Sequence, residues 1–205
     1  MINKPWLSVV IPTIGRWTLE RTLASIAAQS QSAGVEVLVV ADTHGGVTYE
    51  LKQARTGVEA LGFHWLEHDA GQHIYGQPQR TYGAKQATAP YIWFSQDDNV
   101  AAKDSLGVIE RAIDLQLRRR PLFFQCLTYW RATVWSFPVL QLGNIDADCL
   151  VLPQHLAQQI EWGLRYEGDY DAAARAFNLS GGDVAWIDQT VSISRPEREH
   201  LWWQQ

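Results

Sequence analysis

The sequence is poor in cysteine, which excludes a disulfide-rich secreted domain and a small domain held by a cysteine zinc site. It has two cysteines in 205 residues, Cys126 and Cys149, which stand far apart among apolar neighbours. Two such residues supply neither the framework of a disulfide-rich secreted domain nor the paired ligands of a cysteine zinc site. We therefore expect both to be reduced core residues of a cytoplasmic protein.

The sequence also lacks a surplus of basic residues and any long apolar run. Its 17 lysines and arginines against 22 acids give a net charge of −5, which argues against non-specific nucleic-acid binding through a broad basic surface. No apolar stretch reaches the roughly 20 residues of a membrane span. The chain runs straight into a strand, without the apolar segment and cleavage site of a signal peptide, so we expect a soluble protein.

Apolar residues are plentiful, at 46% of the chain, and ten of them are tryptophans. This content is enough for a substantial core, so the length predicts one domain spanning residues 1–205. Aromatic faces can form platforms for sugars or bases, but we expect most of the tryptophans to be core side chains.

The start of the chain predicts a βαβ unit. Its pattern indicates a strand at 6–11, a helix at 17–29 and an almost continuously apolar strand at 35–41. Pro12 is expected to end the first strand. Strand, helix and strand in this order predict parallel pairing, with a ligand edge at Pro12, Thr13 and Asp42. Asp42 also suits an ordinary turn, since the residues that follow it are good turn formers.

The rest of the chain changes character near residue 121. The pattern predicts strands at 63–66, 91–94, 122–129, 133–142, 149–152 and 184–187, and helices at 48–61, 79–88, 104–119, 153–162, 168–177 and 196–203. Strands and helices alternate up to that point, and short aromatic strands then follow one another. We therefore predict an α/β fold with a mostly parallel sheet flanked by helices and a short mixed second half.

The most informative stretch is the strand at 91–94 with the polar residues that follow it, Gln96, Asp97, Asp98 and Asn99. A strand that ends in acids delivers them to the edge where open α/β sheets bind ligands. Adjacent carboxylates repel one another unless a cation lies between them or one is protonated, and hard oxygen ligands suit Mg²⁺ or Mn²⁺ beside a diphosphate. The stretch predicts a metal-diphosphate site, with an Asp-rich turn as the alternative.

Further candidates lie just before this strand. Arg80, in the first turn of its helix, suits a phosphate, which arginine binds through a bidentate fork. His73 and Tyr75 lie in the glycine-rich segment 69–78, which we expect to form a mobile loop over the ligand edge. Either residue can contact a ligand there, although an ordinary loop role fits as well.

Taken together, these stretches resemble the family-2 glycosyltransferases of the GT-A fold over most of the chain. The resemblance rests on the order and spacing of four motifs, at 9–13 with Arg16, at 37–42, at 79–87 and at 91–94 with the acids that follow. It implies that Pro12, Thr13 and Asp42 hold the nucleotide, that Arg16, Arg80, Gln96 and Asp97 bind the nucleotide sugar, and that Asp98 binds a divalent metal, Mn²⁺ or Mg²⁺.

The sequence departs from the family pattern at the metal motif. Gln96 stands where the family has the first acid of Asp-x-Asp, although its amide can still accept a ribose hydroxyl or meet a metal-bound water. A literal Asp-x-Asp occurs at 146–148, but it precedes a strand and should lie away from the ligand edge. We interpret it as a decoy or an acceptor-side feature.

The resemblance also implies a catalytic carboxylate at the start of a late helix, where Asp169 stands. Direct displacement at the anomeric carbon needs the acceptor hydroxyl to lose its proton as it attacks, and a carboxylate within hydrogen-bond reach takes that proton. Asp169 also suits the N-cap of its helix, and the two roles are compatible. The resemblance also allows His200 as a further metal ligand, but a lone histidine on a terminal helix is more often a surface residue, so we leave His200 out of the predicted site.

These expectations describe a metal-assisted, inverting transfer of a sugar from a nucleoside-diphosphate sugar, with residues 1–100 binding the donor and 101–205 forming the acceptor side. The acceptor classes left open are a small molecule, a glycan and a modified nucleic-acid base. A nucleotidyltransferase shares the layout and the metal carboxylates, but residues 12–16 are a poor version of its phosphate loop. A nucleotide-sugar-binding module without turnover is the non-enzymatic alternative, which Gln96 supports.

Overall fold

The computed structural model describes residues 4–72, 74–128, 132–135 and 137–196. The strands are β1 (Leu7–Thr13), β2 (Val35–Asp42), β3 (His64–His68), β4 (Tyr91–Phe94), β5 (Asn99–Ala101), β6 (Leu122–Leu127), β7 (Thr133–Val134), β8 (Leu150–Pro153) and β9 (Ala185–Ser194). The α-helices are α1 (Thr18–Ala27), α2 (Tyr49–Ala60), α3 (Gln77–Gln86), α4 (Ser105–Asp114), α5 (Gln154–Ala157) and α6 (Gly168–Leu179). None of these helices has both the length and the apolar character needed to cross a membrane. His73, His200 and most of the predicted helix at 196–203 lie outside the described residues.

The described strands form one sheet in the order β3-β2-β1-β4-β8-β6-β9-β5, with β7 paired to β6. β1 pairs in parallel with β2 and with β4, and β2 pairs in parallel with β3. β8 runs antiparallel to both β4 and β6, β6 and β9 are parallel, and β5 and β9 are antiparallel. The predicted fold class, a mostly parallel sheet flanked by helices with a mixed second half, is confirmed.

Each face of the sheet has its own apolar core because successive strand residues point to opposite sides. On one face Val10 and Ile92 belong to a cluster with Ala84 of α3, and on the other Val9 and Trp93 belong to a cluster with helix residues Leu19, Leu23, Leu106 and Ile109. Strands covered on both faces are apolar along their whole length, which is why the central strands could be recognised from the sequence.

β1 continues through Pro12 to Thr13, so the prediction that Pro12 ends the strand is wrong. The carbonyl oxygen of Val10 accepts a hydrogen bond from Ser95 N at 3.0 Å, so the backbone N–H and C=O groups of residue 10 point towards β4. The backbone groups of residue 12 point to the same side. β4 ends at Phe94, opposite Val10. The missing N–H of Pro12 therefore costs no ladder hydrogen bond, and the strand carries Thr13 to the sheet edge.

Several elements differ from the sequence pattern in their bounds, and two of the differences have identifiable reasons. β5 was not predicted, because it has three residues and is a strand only through its pairing with the distant β9. The predicted strand at 133–142 ends at Val134. Beyond it, Asn144 Oδ1 accepts from Trp135 N at 3.1 Å, and Asn144 Nδ2 donates to the carbonyls of Phe137 and Val139 at 3.3 and 3.0 Å. The amide thereby closes a loop in place of a ladder.

Gly83 lies where α3 packs so closely on the sheet that no methyl group fits. A Cβ there would lie 2.5 Å from Val10 Cγ1 and 3.0 Å from Val40 Cγ2, and both valines are fully buried and stiff. We expect Gly83→Ala to lower the free energy of unfolding by about 1–3 kcal/mol, despite the roughly 1 kcal/mol that alanine gains over glycine in a helix. Urea unfolding followed by circular dichroism measures this difference.

Gly57→Ala in α2 is the matched control, because no atom lies within 4 Å of a Cβ at that position. It should leave the stability unchanged or raise it by up to about 1 kcal/mol. Equal effects of the two substitutions would contradict the packing argument.

Candidate functional site

The carboxyl ends of β1, β2 and β4 open into a cleft of about 1080 Å³, at the edge where open α/β sheets bind ligands. Eight of the nine predicted site residues line it: Pro12, Thr13, Arg16, Asp42, Arg80, Gln96, Asp97 and Asp169. The ninth, Asp98, does not line the cleft, but it is bound to the same arginine as Asp97.

The predicted nucleotide side of the cleft consists of Pro12, Thr13 and Asp42. Asp42 ends β2, is 6% exposed and accepts a hydrogen bond from His44 N at 3.0 Å through Oδ1. Gly76, with φ of 74°, precedes α3, and a Cβ there would lie 2.6 Å from Pro12 Cβ. The start of α3 therefore packs directly against this wall, and the close approach requires glycine.

Thr13 joins the end of β1 to the acids that follow β4. Its Oγ1 donates to Asp97 Oδ2 at 2.8 Å and accepts from Gly15 N at 2.9 Å. Gly15 has φ of 85°, and a Cβ there would lie 2.8 Å from Leu51 N, so this turn also requires glycine. The turn holds Arg16 against the acids.

The adjacent carboxylates of Asp97 and Asp98 are buried and held by two guanidinium groups. Arg16 Nη1 lies 3.0 Å from Asp97 Oδ1 and 3.2 Å from Asp98 Oδ2, and Arg195 Nε lies 3.2 Å from Asp98 Oδ2. Burial raises the pKa of Asp97, whereas Arg16 and the Thr13 hydroxyl oppose the shift. The arginines thus relieve the repulsion for which the sequence predicted a bound cation.

Arg195 is a site residue that sequence reasoning missed. It follows β9, whose Ser194 pairs with Asn99 of β5, and its backbone N donates to Asn99 Oδ1 at 3.1 Å. A single arginine after a strand carries no local signal. Only the pairing of β5 with β9 brings it to Asp98.

One oxygen of Asp98 fits the predicted role of metal ligand. Asp98 Oδ1 is buried and has no hydrogen-bond partner among the described residues, and an unpaired carboxylate oxygen suits a hard divalent cation. No group of three or more His, Cys, Asp or Glu side chains in the described ranges can hold a metal ion, so a diphosphate and water would have to supply the other ligands.

The segment 146–148 lies at the cleft, so the prediction that it stands away from the ligand edge is wrong. β8 runs antiparallel to β4, with Val151 opposite Trp93, and the residues before β8 therefore lie beside the end of β4. Asp146 lines the cleft and accepts a hydrogen bond from Gln96 Nε2 at 2.8 Å. The sequence indicated that this segment precedes a strand, but not that the strand runs in the opposite direction.

Asp148 is fully buried and ties together three strands. Its Oδ1 accepts from Ser95 Oγ at 3.0 Å and from Ser192 Oγ at 2.7 Å, and its Oδ2 accepts from Asn99 Nδ2 at 2.8 Å. Burial and then the charge of Asp146 raise the pKa of Asp148 to about 8, and the three hydrogen bonds oppose this shift. The bonds from Ser95 and Asn99 hold both ends of the turn that carries the acid pair.

Arg80 is a positive charge buried beside the acids of the cleft. It is 3% exposed, and its guanidinium carbon lies 5.1 Å from the centroid of the Trp162 ring. Its Nη1 donates to the carbonyl of Tyr75 at 2.9 Å and to Gln77 Oε1 at 3.5 Å. Burial lowers the pKa of Arg80, and the charges of four nearby aspartates oppose this. These bonds fix the orientation of Arg80 at the wall of the cleft.

Tyr75 reaches the cleft from the glycine-rich loop, as its sequence position allowed. It has φ of 47°, an uncommon value for a residue with a side chain, and its carbonyl is held by Arg80. Its ring is 66% exposed and meets the Tyr166 ring edge to face, with 5.4 Å between the centroids.

Asp169 is the second residue of α6, so the interpretation of Asp169 as the N-cap is wrong; the cap position belongs to Glu167. Its Oδ1 accepts from Tyr170 N at 2.8 Å. Burial first, and then the charge of Asp146, raise the pKa of Asp169 to about 6, while the hydrogen bond from Tyr170 and the charge of Arg80 oppose the shift. Most of this carboxylate is therefore ionised at pH 7 and able to accept a proton.

Known proteins resemble this chain in part of its sequence and in its fold. The model of the glycosyl transferase family 2 matches residues 8–116. No curated protein matches the chain in sequence.

Among solved structures, S. aureus TarS superposes with a TM-score of 0.72 at 15% identity, over 92% of this chain and 36% of the TarS chain. TarS 1–349 in complex with UDP-GlcNAc gives 0.71 at 14% identity, over 95% of this chain and 61% of that one. The mannosyltransferase PcManGT from Pyrobaculum calidifontis, in complex with GDP-Man and Mn²⁺, gives 0.70 at 14% identity, over 99% and 61%. This chain thus spans between 36% and 61% of the length of these proteins, and the likeness shows a shared GT-A fold.

The buried network around Asp148 should be essential for stability. Asp148→Ala leaves the Ser95, Ser192 and Asn99 donors without their acceptor in a buried site, and we expect the free energy of unfolding to fall by at least about 3 kcal/mol. Urea unfolding measures the loss.

Asp183→Ala provides a comparison on the surface, where Asp183 pairs with the exposed Arg118 and the partly exposed Arg120. This change should cost about 1 kcal/mol or less. A loss for Asp148→Ala no larger than for Asp183→Ala would show that the buried network is dispensable.

Proposed function

The chain belongs to the glycosyl transferase family 2, and from this membership we propose that it transfers a sugar from a nucleoside-diphosphate sugar to an acceptor hydroxyl group. The observation that carries the proposal is one cleft that joins Asp42, Asp97 and Asp169, with Asp98 bound beside it to Arg16. Such a transfer needs a nucleotide site, a diphosphate site and a base within one pocket. Donors of this class are bound in TarS 1–349, as UDP-GlcNAc, and in PcManGT, as GDP-Man.

In this proposal the donor lies along the carboxyl ends of β2, β1 and β4. Pro12, Thr13 and Asp42 hold the base and ribose, since they form the wall at the ends of β1 and β2. Arg16 and Arg80 bind the diphosphate, because both line the cleft and arginine pairs with phosphate oxygens through two parallel hydrogen bonds. Gln96 and Asp97 complete the donor site next to them.

A divalent cation, Mn²⁺ or Mg²⁺, belongs to the proposed site, with Asp98 as its protein ligand. Charge balance supports this, because five aspartates that line the cleft or lie beside it (42, 97, 98, 146 and 169) outnumber three arginines (16, 80 and 195). Asp148 is left out of this balance, since its pKa is raised to about 8. A diphosphate adds further negative charge, which three guanidinium groups already engaged with acids and carbonyls compensate only in part. When bound, the cation stabilises the charge that develops on the departing nucleoside diphosphate.

Asp169 is the proposed general base, and inversion at the anomeric carbon follows from its role. The acceptor oxygen forms a bond to the anomeric carbon as the bond from that carbon to the diphosphate oxygen breaks, and the acceptor proton passes to the Asp169 carboxylate. One direct displacement of this kind inverts the configuration. The division of the chain belongs to the same proposal, with residues 1–100 binding the donor and residues 101–205 supplying Asp169 and the acceptor side. The acceptor is a hydroxyl-bearing small molecule, a glycan or a modified nucleic-acid base.

Asp169→Asn keeps the shape of the side chain but removes its ability to take a proton at neutral pH. We expect sugar transfer to fall by roughly 10²- to 10⁴-fold, with donor affinity almost unchanged. In the unaltered enzyme the base must be ionised, so the transfer rate should fall as the pH is lowered through the Asp169 pKa of about 6. Single-turnover transfer rates measured from pH 5 to 8 test both statements.

Asp171→Asn, two residues along the same helix, is the matched control, because Asp171 forms a surface pair with Arg165 and does not line the cleft. It should transfer sugar at close to the unaltered rate. Full transfer activity in Asp169→Asn would rule out Asp169 as the base.

Asp98→Asn removes the charge that a divalent cation requires, and we expect it to abolish the part of the donor affinity that depends on Mn²⁺. Calorimetric titration of a panel of nucleoside diphosphates and their sugars, with and without Mn²⁺, measures this affinity. Asp104→Asn, an exposed aspartate at the start of α4 that pairs with Arg111, is the control and should retain the metal dependence.

The same panel, with nucleoside triphosphates added, tests the proposed function as a whole. Release of the nucleoside diphosphate or transfer of the sugar supports a transferase. Donor binding without hydrolysis or transfer would favour a non-catalytic binding module, and pyrophosphate release from a nucleoside triphosphate would favour a nucleotidyltransferase.

A further inference from the structure

Asp146 stands in the cleft with only one of its two carboxylate oxygens engaged. Oδ1 accepts hydrogen bonds from Gln96 Nε2 at 2.8 Å and from the backbone N of Asp148 at 3.0 Å. Neither bond uses Oδ2, and no donor to it exists in the part of the chain that the structure describes. None of the roles assigned above uses this residue.

The neighbours of Asp146 place it between the two ends of the proposed reaction. On one side it is bonded to Gln96, which begins the turn that carries the acid pair. On the other side it lines the same cleft as Asp169 and Arg80, and its charge raises the pKa of Asp169 and opposes the lowering of the pKa of Arg80. In the proposed transfer the diphosphate lies at the acid pair and the acceptor oxygen at Asp169, so the transferred sugar must lie between them.

We propose that Asp146 recognises the transferred sugar, with Oδ2 accepting a hydrogen bond from one of its ring hydroxyl groups while Gln96 holds Oδ1. This inference rests on the proposed function, because it needs a nucleotide sugar in the cleft. An ionised carboxylate accepts hydrogen bonds and donates none, so it suits a ligand that presents several hydroxyl donors. This proposal also gives a role to Gln96, which replaces the first acid of Asp-x-Asp. Its amide orients Asp146, which comes from the segment before β8.

A plainer role for Asp146 is to cap the short 3-10 helix at 147–149. Oδ1 already serves as this cap by accepting from the backbone N of Asp148, and the cap makes no use of Oδ2. Asn and Ser cap a helix about as well as Asp. Asp146→Asn and Asp146→Ser therefore retain the cap, while the first removes the charge and the second removes the second oxygen.

The test compares two ligand pairs of equal charge that differ only in the sugar, UDP-GlcNAc with the β-methyl ester of UDP and GDP-mannose with the β-methyl ester of GDP, each titrated calorimetrically in the presence of Mn²⁺. Loss of a negative charge near the diphosphate affects both members of a pair, so the ratio of their dissociation constants isolates the contact with the sugar. We expect both Asp146 variants to weaken the nucleotide sugar relative to the methyl ester by about ten- to a hundredfold, which is the usual worth of a hydrogen bond to a charged group. Asp104→Asn should leave the ratio unchanged.

Each outcome decides one of two questions. An unchanged ratio in both Asp146 variants, with the pair still bound by the unaltered protein, would overturn the sugar contact and leave the proposed function standing. If the unaltered protein binds neither pair, the proposed function loses its support and this inference fails with it. Thermal melts of the two Asp146 variants complete the test. If both variants are unfolded although the helix cap is retained, Asp146 has a structural role and the proposed contact with the sugar is overturned.

Discussion

The candidate site depends on guanidinium groups placed among buried carboxylates. Asp97 and Asp98 are adjacent and removed from water, and an isolated buried charge costs several kcal/mol unless an opposite charge lies beside it. Arg16 comes from the loop after β1 and Arg195 from the end of β9, and together they hold this pair. Arg80, buried on α3 over Trp162, supplies the third positive charge to the aspartates around it. The same positive charges are what a diphosphate anion would meet in the cleft.

The antiparallel strand β8 makes the two halves of the chain into one site. Because β8 lies between β4 and β6 and runs against β4, the segment before it meets the acid turn after β4. Asp148 is bonded there to Ser95 and Asn99 on either side of the acid pair and to Ser192 of β9. The turn that carries the acid pair is therefore held in shape by Asp148 and Ser192, which come from later in the chain. The family model matches residues 8–116, whereas the likeness in fold extends over 92% to 99% of the chain.

Much of the fold could be predicted from local patterns. The first βαβ unit, the strand at 91–94 and the start of α6 were recognisable because an apolar strand or an amphipathic helix repeats its signal every few residues. The ligand edge followed from the handedness and direction of parallel connections, and it gathered Pro12, Thr13, Asp42 and Asp97 as expected. Boundaries were less certain where a single side chain decides them, as at Asn144, whose amide replaces a ladder with a loop.

The sequence by itself determined the fold class and the order of the central elements, because these follow from periodicity and from the direction of neighbouring strands. Its resemblance to the family-2 glycosyltransferases completed the set of eight predicted residues that line the cleft. Only the tertiary structure decided that Arg195 binds Asp98 and that segment 146–148 reaches the cleft. Those two features depend on pairings between strands far apart in the chain and on the direction of β8. A local pattern carries no information about either, since the free energy that selects them comes from burial and hydrogen bonding across the completed sheet.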